Sequence, residues 1–114
     1  VRLYHFTCRD AAPRIIGCGE LRPHTQVQIG GTALVWLTDL ERPNRYEIGL
    51  TSHTLHCDRM EFRFEADIEE PVRWVDYLRE QPRDVRLTGR YLAMTSGAKP
   101  MHWYVSTEPV GVVL

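Results

Sequence analysis

Apolar and polar positions alternate over several short stretches of this chain, with helical spacing between them. Val1–Thr7 predicts a strand, with Leu3, His5 and Thr7 on one side and Tyr4 and Phe6 on the other. A short helix is expected from Ala11 to about Cys18, with Asp10 as its N-cap, Pro13 in its first turn and Gly17 or Gly19 as its stop. Leu21–Pro23 reads as a stub of extended chain, and 24–31 as a polar loop. Thr32–Leu40 is rich in strand formers (Val35, Trp36, Thr38) and predicts a second strand, closed by a turn at Pro43-Asn44. The stretch 46–58 has no clean period and reads mostly as loop.

Met60–Asp67 alternates again, with Met60, Phe62, Phe64 and Ala66 against Glu61, Arg63 and Glu65. Glu69–Glu80 predicts a helix: Pro71 falls in its first turn, Glu69 and Glu70 suit the positive N-terminus, and Val72, Val75 and Leu78 keep helical spacing up to Pro82. Val85–Leu92 reads as strand or loop. Met101–Glu108 alternates His102, Tyr104, Ser106 and Glu108 against Trp103, Val105 and Thr107, and Val110–Leu114 predicts a last strand. Two short helices among five or six strands make an α+β fold: a compact, split, mostly antiparallel sheet core in one domain over 1–114.

Composition narrows the function classes. The chain is 43% hydrophobic and 25% charged, which suits a folded globular domain better than a disordered one. No apolar run approaches the ~18–20 residues that span a bilayer, and the start carries no signal-peptide core, so a protein away from membranes is expected; three cysteines without a closed disulfide set make a reduced, cytoplasmic setting the default. Fourteen basic against fifteen acidic residues argue against a general electrostatic grip on nucleic acid, though not against a local patch. Lys99 is the single lysine among the basic residues. Arginine suits bidentate phosphate recognition, although a codon bias gives the same skew.

Cys8, Cys18 and Cys57 make no closed disulfide set and no CxxC pair. His53, His56 and Cys57 have ligand-like spacing, but no second ligand pair follows downstream, so no metal site is expected. P-loop, GxSxG, HExxH and GxGxxG motifs are absent. The remaining chemistry lies on strands. In Tyr4-His5-Phe6-Thr7 an imidazole and a hydroxyl stand two residues apart on one face, close enough to touch one ligand. A buried structural histidine is the plain alternative.

Read in order, the strand Tyr4-His5-Phe6-Thr7, the helix with Pro13, Ile15, Ile16 and Gly17, the stub Gly19-Glu20-Leu21-Arg22-Pro23 and the strand Leu34-Val35-Trp36-Leu37-Thr38 resemble the entry of ADP-ribosyltransferase-fold proteins. The DarT-like and PARP-like branches are the nearest in pattern. The resemblance implies an NAD-dependent transferase, a glycosyltransferase in reaction class, that modifies DNA, RNA or protein. It implies a toxin setting with a cognate antitoxin or immunity partner.

On that reading His5 and Thr7 contact NAD, and Glu108, at the end of Trp103-Tyr104-Val105-Ser106-Thr107-Glu108, is the late glutamate. Tyr46 or Trp36 supplies the aromatic face for nicotinamide. Arg59 and Arg63 are candidate phosphate clamps, and both also fit a solvated strand face. His5 and Glu108 would be the catalytic pair, because breaking the nicotinamide–ribose bond builds positive charge that a carboxylate stabilises. The alternative is a module without catalysis that keeps the cleft and binds a nucleotide or a protein. A Glu108 converging on His5 favours the enzyme, and one in a solvent-facing turn favours the binder.

Overall fold

Strand β1 (Arg2–Thr7) is the seam of the main sheet. In the computed structural model, which describes residues 1–24, 32–50 and 59–114, it pairs along its whole length with β4 (Phe62–Asp67), from Arg2↔Asp67 to Thr7↔Phe62. On its other side lies β3 (Val35–Thr38), followed by β6 (Trp103–Ser106) and the two-residue edge strand β5 (Val72–Arg73), all antiparallel to their neighbours. A separate pair, β2 (Glu20–Leu21) with β7 (Val110–Gly111), forms a second, smaller sheet. The expectation of an α+β fold built on an antiparallel sheet is met.

Both faces of the sheet are covered, which makes the fold three layers thick. Leu3, Val35, Leu37, Phe64, Ala66 and Tyr104 point to one side. There they pack under Ala12 and Ile15 of α1 (Ala12–Cys18), Leu21 of β2, and Val110 and Val112 around β7. Each fully buried aliphatic side chain here, such as Leu3 or Leu21, contributes roughly 1.5–3 kcal/mol. Trp36, Trp103 and Val105 point to the other side, beneath Trp74 and Leu78 of α2 (Trp74–Arg79) and Val85, Leu92 and Ala93 of α3 (Arg83–Ala93). Trp36, Trp74 and Trp103 form an aromatic cluster, the last two with ring centroids 5.0 Å apart.

The structure revises several expectations. The helix expected over Glu69–Glu80 begins only at Trp74, because Val72 and Arg73 extend to pair with Val105 and Tyr104 of β6. Pro71 therefore precedes an edge strand, a place where a missing N–H costs nothing. Val72 is exposed, and Trp74 with Leu78 forms the buried stripe instead. Val85–Leu92, expected as strand or loop, is the body of α3, which adds a third helix to the two predicted. Its inward residues Val85, Gly89, Leu92 and Ala93 keep i, i+4, i+7, i+8 spacing. Gly89 is required there, since a Cβ at that position would lie 2.6 Å from Leu78 Cδ1.

At α1, Ala11 takes the N-cap position in place of Asp10 and no side chain caps the helix. Gly19 ends it at φ 73°, donating its N–H to the Ile15 carbonyl. Two inner strands are shorter than predicted: Thr32–Leu40 contracts to Val35–Thr38, a 3-10 turn at Pro100–His102 precedes Trp103, and Glu108 lies in a bend beyond β6. Val110–Leu114 contracts to Val110–Gly111 plus a bridge from Val113 to Glu65. Among the described residues, no helix is long and apolar enough to cross a membrane.

Candidate functional site

β1 and β6 both run antiparallel to β3, so they run the same way and their C-terminal ends lie on one edge of the sheet. Tyr4 stands opposite Thr38 and Val35 opposite Ser106; continuing the first register sets Thr7 near Val35. Thr7 and Ser106 then occupy one row with β3 between them, roughly 10 Å apart at the usual strand spacing. His5 lies one side-chain position inward on the face that α1 covers. Glu108 lies two residues beyond Ser106, past the end of the ladder.

His5 is held by its own sheet. Its Nδ1 lies 2.7 Å from the carbonyl oxygen of Trp36, so Nδ1 carries the proton and donates it. In the neutral ring this tautomer leaves Nε2 as a bare acceptor. The ring keeps some exposed area yet is densely surrounded by protein, and the second property sets its titration. Burial pushes the His5 pKa below the ordinary histidine value, the bond to Trp36 opposes this, and nearby His24 adds to the lowering.

His24 is placed by a backbone bridge to Leu34, with both N–H···O distances 3.0 Å. Its Nε2 lies 3.2 Å from Nη2 of Arg14, on α1. A guanidinium has only donors, so His24 Nε2 is the acceptor in this contact. Among the described residues, no carboxylate forms an ion pair with Arg14. Phe62 completes the group. It stands directly across from Thr7, on the same face as Phe64 beside His5, and stays 38% exposed.

The other expected site residues lie elsewhere. Trp36 offers His5 only its backbone carbonyl, because its indole points to the opposite face and packs on Trp74 and Trp103. That indole N–H is buried without an acceptor. Arg63 is on that opposite face too: its guanidinium stacks 5.2 Å above the Tyr4 ring and donates to the Glu41 carbonyl. Tyr46 is half-exposed in the 45–49 turn, against Gly97. Arg59 is exposed in the turn that leads into β4. His53, His56 and Cys57 lie outside the described residues, and among the described ones no three His, Cys, Asp or Glu side chains are grouped to hold a metal.

Glu108 is exposed, with its backbone pinned by Ser106: the Ser106 hydroxyl donates to the Glu108 carbonyl at 2.8 Å and accepts the Glu108 N–H at 3.2 Å. Its residue borders a cleft of about 420 Å³ between β6 and α2, whose charged walls are Glu70, Asp76, Glu80 and Glu108 itself. No arginine, lysine or histidine is among its described walls, and His5 does not border it.

The chain matches no protein-family model, no curated protein and no solved structure. The chemistry of the site therefore rests on its own geometry.

Two polar groups emerge from that geometry. On the α1 side, a neutral imidazole acceptor (His5), a hydroxyl (Thr7), a cation (Arg14), a second imidazole (His24) and an exposed aromatic ring (Phe62) come from four segments of chain. Between them they supply a hydrogen-bond acceptor, a hydroxyl, a cation and an aromatic face. At the opposite sheet end, Asp39 ties two elements together. One of its oxygens lies 2.7 Å from His102 Nδ1 and the other accepts the Tyr104 hydroxyl at 3.2 Å. Burial first, and Asp39 second, push the Tyr104 phenol above its ordinary pKa. This group anchors the 3-10 turn to β3, since the Asp39 N–H also donates to the His102 carbonyl.

Arg14, His24 and Phe62 escaped the sequence reading. Only Phe62 had a usable signal, its place in the Met60–Ala66 alternation; the pairing of β4 with β1 decides which residue it faces.

Proposed function

We propose that this domain binds NAD at the His5 group and transfers its ADP-ribose to a macromolecule. The observation that carries the reading is His5 itself: the Trp36 carbonyl fixes its tautomer and burial lowers its pKa, so Nε2 is an acceptor on the face of the sheet that α1, the helix of Arg14, covers. A neutral acceptor suits a ribose hydroxyl, and a guanidinium that no described carboxylate pairs suits a pyrophosphate. Phe62 supplies the aromatic face that Trp36 and Tyr46 do not bring to His5.

In the transfer, the bond between ribose C1′ and the nicotinamide nitrogen breaks and nicotinamide leaves with the electron pair. A nucleophilic oxygen or nitrogen of DNA, RNA or protein bonds to C1′ and gives up its proton to water. His5 and Thr7 orient the ribose. Glu108, from the same sheet edge, stabilises the positive charge that builds at C1′ or orients the acceptor.

The test is incubation with labelled NAD and separate DNA, RNA and protein acceptors, with released nicotinamide measured, beside NAD titration of His5→Ala, Arg14→Ala and Glu108→Gln. Label transfer is expected, with weakened NAD binding for the first two variants. Glu108→Gln should lose turnover and keep affinity, because a transition-state contact contributes little in the ground state. No binding of NAD by the wild-type protein refutes the reading.

A second reading, a nucleotide-binding module without transfer, draws support from one observation. Glu108 is exposed in a bend and borders a carboxylate-lined cleft that His5 does not reach. Binding of NAD without label transfer or nicotinamide release selects it.

A further inference from the structure

We infer that the outward face of α3 docks an acidic amphipathic helix of another protein. This stands apart from the nucleotide reading and uses residues on the far layer of the fold. α3 packs inward through Val85, Gly89, Leu92 and Ala93. At 100° per residue, Leu87, Tyr91 and Met94 fall on the opposite side, one above another at i, i+4 and i+7. They are 44%, 77% and 79% exposed. Single exposed apolar side chains are ordinary, but a helical stripe of three is the pattern of a helix that meets a partner.

Charge says what kind of partner. Arg83, Arg86 and Arg90 follow one another at i, i+3 and i+7 along one flank of that stripe. Among the described residues none of the three is ion-paired, whereas Arg79 on α2 is bonded to Asp76. An unpaired row of arginines beside an apolar row is complementary to a helix with leucine-like residues on one line and carboxylates on the next. A second copy of this face would set three arginines against three, which disfavours self-association. Of the stripe only Tyr91 can stack on a base, whereas Leu87 and Met94 offer a nucleic acid neither stacking nor hydrogen bonds; an apolar helix face uses all three, which favours it over RNA or DNA as the occupant.

The experiment uses the whole chain and a synthetic helical peptide of roughly 20 residues, long enough to hold a helix. The peptide carries leucines at i, i+4, i+7 and glutamates on one flank; a control carries lysines in place of the glutamates. Binding is followed by fluorescence anisotropy at low and high salt and mapped by backbone amide shifts. The acidic peptide should bind at least tenfold tighter than its lysine control, lose affinity in salt, and shift amides over 83–94.

The triple variant Arg83→Glu, Arg86→Glu, Arg90→Glu should reverse the preference between the two peptides. Leu87→Ser with Tyr91→Ser, both exposed and dispensable for the core, should remove binding of either while circular dichroism stays unchanged. Equal affinity for the two peptides overturns the inference, as do amide shifts elsewhere. So does tighter binding of a uridine oligomer on the same surface, or concentration-dependent dimerisation through α3.

Discussion

Replacing His5 by asparagine isolates the feature on which the site depends. An asparagine amide carries an N–H near the place of Nδ1, so it can keep the hydrogen bond to the Trp36 carbonyl at 2.7 Å, but it does not titrate. In the wild-type chain burial, the Trp36 bond and His24 combine to hold His5 below the ordinary histidine value. Above about pH 6.5 both folded and unfolded chains carry a neutral His5, and its contribution to stability is flat. As pH falls below that point the unfolded chain binds a proton that the folded protein refuses.

Stability is therefore lost from about pH 6.5 downward until pH reaches the lowered folded value, with a limiting slope of about 1.4 kcal/mol per pH unit for one proton. Urea unfolding from about pH 8 to about pH 5, analysed at constant slope in denaturant, measures the effect. The wild-type protein should lose stability more steeply with acid than His5→Asn, and the difference between the two curves should be confined to the acid side. His5→Leu should run parallel to His5→Asn and lie about 1–3 kcal/mol below it at every pH, since it leaves the Trp36 carbonyl without its donor. Parallel curves for wild type and His5→Asn would show that the imidazole titrates as if in water, and the neutral-acceptor argument would fail.

Gly89→Ala should destabilise the fold by about 1 kcal/mol: the new methyl crowds both Leu78 methyls and Trp74, at a cost of about 1–3 kcal/mol that a helix-propensity gain of up to about 1 kcal/mol only partly offsets. Thermal unfolding reads it, and a stabilised variant would contradict the close approach of α2 and α3. Trp36→Phe should cost less than Trp103→Phe by about 1 kcal/mol or more in urea unfolding. The first removes a buried N–H that has no acceptor, while the second strips a 2.7 Å bond from the Glu47 carbonyl. Gly19→Ala should shorten or weaken α1 by roughly 1 kcal/mol, visible in unfolding, because φ 73° is strained for any residue with a Cβ.

Alternation carried most of the sheet. β1, β4 and the centre of β6 were legible because each has a two-residue period, and the sheet buries one parity on each side. What single-strand periodicity does not reveal is that both faces of β6 are buried, so its Trp103, Tyr104 and Val105 are all core. α3 was missed because Val85, Thr88 and Gly89 are weak helix formers, and what holds the segment is packing on Trp74 and Leu78. Val72 fitted a helical stripe in the sequence and went to a sheet edge, since β6 had an open side and Pro71 is harmless there. Arg14 and His24 meet through the fold of α1 back across β2, a contact that no local spacing encodes.

Sheet parity settles which candidate side chains share a ligand. His5 and Thr7 project to the α1 face, whereas Trp36, its neighbour through the backbone bond, projects to the α2 and α3 face, as does Arg63. A ligand in contact with His5 Nε2 is separated from that indole and that guanidinium by the thickness of the sheet. Its cation and its aromatic wall must come from elements on the α1 face, where Arg14 and Phe62 are candidates among the described residues. Glu108 meets a different constraint. It leaves β6 at the same edge where Thr7 leaves β1, but its nearest charged neighbours around the cleft are carboxylates, which would repel a pyrophosphate drawn toward it. A dinucleotide shared by both groups must therefore keep its phosphates by Arg14 and present only its uncharged ribose end toward Glu108. That orientation is the one in which a carboxylate at the edge meets positive charge developing on the sugar.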